Sequence, residues 1–274
     1  MFASELSILQ ALILGIVEGI TEFLPVSSTG HLLVVGELIG FGTGASQAAG
    51  DTYSIAIQFG AILAVAVLYR DRIFSMLRGI AGRSVEGRLS LTRLIVAFLP
   101  AGTIGAVAGD AVKDKLFGPI PVTIAWFIGG VLLLRWKPKP GSLHTQDLPV
   151  RAAFIIGCAQ GLALWPGVSR SLITLVAGLA VGMTLAGALE FSFLLGLVTL
   201  SAATFLDIAR NGGELIDTFG YVTPLIGVVA AFVTAVIAVR WMVDYLAKHS
   251  LALFGYYRIG IAAVATVLLL TGVL

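Results

Sequence analysis

GIVEGITEFLPVSSTGHLLVVGELIG, residues 15–40, carries an apolar helical pattern on both sides of a polar break. The apolar region around it, roughly 5–41, is interrupted at LPVSSTGH, 24–31. Each flank has only about 12–15 residues, short of the ~20 that cross a bilayer as a helix. Two short helices around a proline and a serine cluster read as a re-entrant hairpin. Irregular backbone of this kind is tolerated at membrane depth only when it is buried in protein or lines a cavity. A second region, roughly 152–182, has the same design, with its break at WPGVSRS, 165–171.

The whole chain supports a membrane reading. Its 274 residues are 58% hydrophobic and only 12% charged, and the mean hydropathy is +1.02. Soluble domains carry about 25% charged residues, so a soluble enzyme, a nucleic-acid binder and a disordered chain are excluded. Cys158 is the only cysteine, which rules out an internal disulfide and a cysteine zinc cluster. Met1 to Leu14 lacks the basic start and cleavage site of a secretory signal. Six further stretches, roughly 53–70, 93–110, 118–136, 185–206, 221–243 and 251–273, are long enough to span. The expected fold is an all-α integral membrane protein with six transmembrane helices plus two re-entrant helical hairpins.

Basic residues orient it. The 70–93, 135–151 and 240–250 segments carry twelve Lys and Arg, whereas the opposite loops carry only Lys113, Lys115 and Arg210. The first set is therefore placed in the cytoplasm. Both termini then lie outside, the first hairpin enters from outside and the second from inside.

The hairpins also match in sequence. ILGIVEGI at 13–20 falls on IIGCAQGL at 155–162, an offset of 142, and Val26 to Thr29 fall on Val168 to Ser171. LFG at 116–118 recurs at 253–255. Residues 1–274 are thus expected to form one membrane domain. Its halves, about 1–136 and 152–274, would be joined by a cytoplasmic loop, 137–151. Opposite orientation makes them an inverted-topology repeat, with its site near the midplane where broken helices meet.

Ionisable groups inside apolar segments are costly and point to function. Glu18 and Glu22, four residues apart, share one helix face and repel unless a cation, a basic residue or a proton separates them. The hydroxyls of Ser27, Ser28 and Thr29 gather at a helix start, a setting that favours an anion. His31 lies one turn beyond Ser28, within reach for proton transfer. In the second hairpin Ser169, Arg170, Ser171 and Thr174 surround another helix start, and Arg170 offers a planar fork suited to phosphate. Either cluster alone reads as N-capping after proline; together with the charges they read as a phosphate site. Glu37 is expected to be solvated. Arg258 is expected to snorkel to the cytoplasmic surface, and Glu190 to be a helix-start charge or a partner of Arg170. His144, His249 and the four tryptophans are assigned no chemistry.

EGITEFLPVSSTGH at 18–31 and PGVSRSLIT at 166–174 resemble the two signatures of the bacterial undecaprenyl-diphosphatase, or bacitracin-resistance, family. One departure is Leu172, where the family usually has Gly. The resemblance implies hydrolysis of undecaprenyl diphosphate to the monophosphate and inorganic phosphate at the outer face of the bacterial inner membrane, recycling the carrier for cell-wall synthesis. It also implies a divalent cation, Mg²⁺ or Ca²⁺, and motif residues at Glu18, Glu22, Ser28, His31 and Arg170. Paired carboxylates suit such a cation, which gives Glu18 and Glu22 as metal ligands. The catalytic set is Ser28, His31, Glu22 and Arg170, with Ser27, Thr29, Ser169, Ser171 and Thr174 binding phosphate. Either Ser28, with His31 as base, or His31 itself attacks phosphorus; spacing leaves both open. The expected partners are a polyprenyl diphosphate lipid and bilayer lipids, without nucleic acid, and a homodimer is left open. A transporter or flippase for a polyprenyl phosphate lipid is the competing reading, because inverted repeats with broken helices also serve transport.

Overall fold

The computed structural model describes residues 6–41, 47–139 and 141–274. The described residues form eleven α-helices and no extended strands. The first hairpin is α1 (Ile8–Thr21) and α2 (Ser28–Leu38). Ser7 starts α1 with reciprocal bonds: the Gln10 N–H donates to Ser7 Oγ, and the Ser7 N–H to Gln10 Oε1. Then come α3 (Gln47–Leu68), α4 (Arg70–Ile80), α5 (Val85–Leu116) and α6 (Pro119–Arg135). The second hairpin is α7 (Val150–Gln160) and α8 (Arg170–Ala180), with a 3₁₀ turn at Gly161–Leu164 between them. The long helices α9 (Leu185–Phe219), α10 (Val222–Leu246) and α11 (Ala252–Leu270) complete the chain.

Five of the six expected spans are helices long and apolar enough to cross a membrane. The sixth, α6, has 17 residues, at the short end of about 17–25 for a spanning helix. Two boundaries differ from the expectation. Most of the 70–93 segment is helical: α4 and the start of α5 fold against each other around a turn at 81–84. Helix α9 likewise runs to Phe219, past the expected end at 206. Hydropathy marks where a helix is apolar, not where its backbone hydrogen bonds stop, and Arg and Leu in these extensions are good helix formers.

The two halves of the chain are interlaced. Helix α1 packs on α10 and α7 packs on α5, so each hairpin leans on a long helix of the other half. Exchanging the halves exchanges these two contacts, and it maps the α3–α9 and α6–α11 contacts onto themselves. The backbone repeats as well. Among the described residues only Ser27 (φ 72°) and Ser169 (φ 76°) have positive φ without being glycine. They are 142 residues apart, the same offset as the sequence match. Each immediately precedes the second helix of its hairpin. Such conformations cost about 1–3 kcal/mol and survive where the surroundings over-determine them.

Candidate active site

The hairpin tips meet, and hydrogen bonds lock them together. The Gly167 N–H donates to Ser27 Oγ (3.1 Å), and Ser171 Oγ donates to the Leu24 carbonyl (2.8 Å). Trp126 of α6, wholly buried, donates from Nε1 to the Val26 carbonyl (2.8 Å). Arg258 of α11 is 0% exposed. Its guanidinium donates to Pro25 O (3.3 Å) in one tip, Gly167 O (2.8 Å) in the other, and Ala125 O (2.9 Å) of α6. Gly129 makes room for it, since a Cβ there would lie 2.2 Å from Nη2.

At this crossing three predicted residues form one charged network. Arg170 Nη2 donates to Glu22 Oε1 (2.6 Å), and Ser28 Oγ donates to Glu22 Oε2. Arg170 Nη1 holds the Ser192 carbonyl (3.1 Å), and the guanidinium lies over the Phe23 ring. Gly196 clears its place, because a Cβ there would lie 2.1 Å from Nη1. Arg170 Nε is buried with no hydrogen-bond partner among the described residues, so one donor of the fork is uncommitted. The pair is nearly dry, with side-chain exposures of 11% and 6%. Glu18, one turn before Glu22, is fully buried, and neither of its carboxylate oxygens has a hydrogen-bond partner among the described residues.

The helix starts differ in a way that favours one of them for an anion. Ser169 caps α8 by accepting the Leu172 N–H (3.2 Å). Ser27 makes no such bond to α2, because its hydroxyl serves the other hairpin. The first N–H groups of α2, at Ser28, therefore keep their capacity for an anion.

His31 stands apart from the Ser28–Glu22 bond. Its Nδ1 lies 2.7 Å from the Ser27 carbonyl, which only accepts, so Nδ1 carries the hydrogen. In the neutral ring Nε2 then accepts from the Tyr257 hydroxyl (2.7 Å). Trp126 packs edge-on against the imidazole at 4.9 Å.

The Bacitracin resistance protein BacA family model matches residues 11–264. The chain belongs to the BacA family. It is 43% identical over 263 residues to an undecaprenyl-diphosphatase of Methylococcus capsulatus, covering 93% of each chain. It is 42% identical over 268 residues to one of Cereibacter sphaeroides, covering 96% of this chain and 97% of the relative. A Sorangium cellulosum undecaprenyl-diphosphatase is 41% identical over 261 residues, covering 93% and 84%.

In this BacA-family chain the predicted residues divide by role. Glu22, Ser28 and Arg170 meet directly. Ser27, Ser169, Ser171 and Thr174 are buried, and their hydroxyls are engaged inside the protein: Ser169 with Ser171 (3.0 Å) and Thr174 with Ser192 (2.6 Å). They knit the hairpins to each other and to α9. Thr29 is half-buried and outside this network. Ser28 turns to Glu22, not to His31: the break at Pro25 carries the end of α1 over the start of α2. Two expectations need correction. Arg258 does not snorkel; three buried carbonyls hold its charge at the crossing. Glu190 is a partner of Arg72 (2.9 Å), which also holds Glu86 (3.0 Å), and not of Arg170. Sequence reasoning passed over Tyr257 and Ser192 and gave Arg258 no place at the site. The one signal for Tyr257 and Arg258 was an arginine two turns inside an apolar helix, beside a tyrosine.

The carboxylates suit a hard cation. A buried carboxylate without a partner is costly unless neutralised, and Glu18 supplies such a carboxylate beside Glu22. Among the described residues no cluster of three or more His, Cys, Asp or Glu stands ready for a metal. Further ligands would therefore be hydroxyl or carbonyl oxygens or oxygens of a bound ligand.

Proposed function

We propose that this protein hydrolyses undecaprenyl diphosphate to undecaprenyl phosphate and inorganic phosphate. The observation that carries the reading is the buried Ser28–Glu22–Arg170 network: a hydroxyl, a base holding its proton, and a guanidinium with one donor unpartnered among the described residues. The relatives' names point to the same chemistry and lend nothing to the transport alternative.

In the mechanism we infer, Ser28 Oγ attacks the terminal phosphorus while Glu22 takes its proton. A new O–P bond forms, the bridging P–O bond breaks, and the lipid monophosphate leaves. Arg170 turns from Glu22 towards the equatorial oxygens, where charge accumulates, and the α2 N-terminus adds backbone donors. Water, deprotonated by a carboxylate, then cleaves the phosphoserine, and Ser28 recovers its proton. Glu18 and Glu22 are the residues that would hold a divalent cation, and such an ion supplies charge neutralisation of the diphosphate. His31 holds the Ser27 carbonyl and thereby the start of α2. Direct attack by His31 is disfavoured because both ring nitrogens are engaged.

We further propose the orientation set by the twelve-to-three charge bias: a bacterial inner-membrane protein whose site is reached from the periplasm. Cysteine labelling that places residues 75–90 outside the cell reverses it. Rapid quench tests the chemistry. A phosphoserine survives acid, whereas a phosphohistidine is lost in acid and survives alkali. An acid-labile, alkali-stable phosphoenzyme that persists in Ser28→Ala and is lost in His31→Ala overturns the assignment of Ser28.

A further inference from the structure

An apolar groove of about 380 Å³ runs between α6, α8 and α11, within the size range of small-molecule sites. Its walls include Ile128 and Leu132 of α6, Trp136 just past the end of that helix, and Leu172, Ile173 and Val176 of α8. Val168 and Arg258, the latter the clamp of the hairpin crossing, also line it. From Ala125 to Leu133 the α6 wall is about 12 Å long at 1.5 Å per residue.

Helix α8 has two faces. Arg170, Ser171 and Thr174 belong to the hydrogen-bonded network, whereas Leu172, Ile173 and Val176 belong to the groove. The charged site and the groove thus lie on opposite sides of one helix, roughly 10 Å across. The loop that leads into it, Gly167 to Ser169, is pinned by Arg258 and Ser27. The groove lining is apolar apart from Arg258, and that side chain has a buried Nε with no hydrogen-bond partner among the described residues. A long hydrocarbon carrying an anionic head matches this layout. Its head would lie at Arg170, and its chain would pass over the start of α8 into the groove.

We propose that this groove seats the isoprenyl chain of the lipid diphosphate next to its head group, with Leu172 forming part of its floor. This rests on the phosphatase reading above. It gives Leu172 a place on the tail side of α8 and not in the phosphate pocket.

The test fills the groove from opposite walls with Leu132→Trp and Val176→Phe, neither of which touches the charged network. Leu132 is 60% exposed, so its replacement leaves the core intact. Hydrolysis of C55, C15 and C5 isoprenyl diphosphates is then compared with wild type. The expected result is a rise in KM of tenfold or more for C55 and C15, with C5 kinetics within twofold. Unchanged KM for C15, or equal losses for C5, overturns the proposal. If the wild type hydrolyses none of the three, the phosphatase reading fails, and photolabelling judges the groove by itself. A C15 isoprenyl monophosphate bearing a terminal benzophenone should label residues 128–136 and 172–176, displaced by unlabelled C15 monophosphate and not by oleate. Labelling elsewhere, or equal displacement by oleate, overturns the groove assignment.

Discussion

Replacing Arg258 by Met keeps the length of the side chain and removes its charge and donors. The guanidinium makes two short bonds, 2.8 Å to Gly167 O and 2.9 Å to Ala125 O, and a longer one of 3.3 Å to Pro25 O. Hydrogen bonds to charged groups are worth about 1.5–3 kcal/mol each, so the two short ones together represent about 3–6 kcal/mol. Freedom from burying a cation offsets part of that, leaving a net loss of about 2–4 kcal/mol. At roughly 2–4 °C per kcal/mol for a chain of this order of size, the melting temperature should fall by about 5–15 °C. Tryptophan fluorescence of purified protein in detergent reads it directly, since Trp126 sits at the same crossing. Turnover should fall at least tenfold, because Arg258 holds both tips that carry Ser28 and Arg170. Arg258→Lys, which cannot span three carbonyls, should fall between the two. A Met variant with wild-type melting and wild-type turnover would refute the account of Arg258 as the clamp of the crossing.

Glu22→Gln keeps a hydrogen-bond acceptor for Ser28 but no base, and phosphate release should drop by about two to four orders of magnitude, the usual scale of a lost general base; a rate within threefold of wild type removes Glu22 from that role. Arg170→Lys keeps the charge and loses the fork, so most activity should go while gel filtration shows a folded protein; wild-type turnover would leave Arg170 a structural role only. Gly196→Ala puts a methyl where the Arg170 guanidinium lies and should cut kcat by tenfold or more with Glu22 and Arg170 both present. EDTA should abolish phosphate release, and Glu18→Gln should raise the Mg²⁺ or Ca²⁺ concentration needed to restore it; an unchanged cation requirement takes Glu18 out of the cation site.

Much of the architecture is legible in the chain because its determinants are local. Proline and serine clusters in runs too short to span mark both hairpins, and the repeat offset of 142 reappears in the backbone of Ser27 and Ser169. The pairing of Ser28 with Glu22 is less legible. Spacing along a helix places His31 near Ser28, but Glu22 reaches Ser28 across the Pro25 break, where helical periodicity carries no information. Arg258 was misread for a related reason. Snorkelling is the ordinary fate of an arginine near a helix end, and nothing in its own helix reveals three carbonyls contributed by residues 25, 125 and 167. Glu190 found Arg72 because α4 continues as a helix through a segment whose charges suggested a loop.

The interlacing of the halves also sets a timetable for biogenesis. The first hairpin is synthesised early, yet its packing partner α10 begins at Val222. Its ion-pair partner Arg170 lies 148 residues beyond Glu22, and its clamp Arg258 lies 233 residues beyond Pro25. Contacts of such sequence separation form late and slowly. Glu18 and Glu22 must therefore wait in the insertion machinery or the bilayer until most of the protein has followed them. A ribosome stalled before Ala252 leaves a chain with Glu22, Ser28 and Arg170 all made but no α11 to close the crossing. Such a chain carries unclaimed carbonyls at its tips and is a natural substrate for membrane quality control.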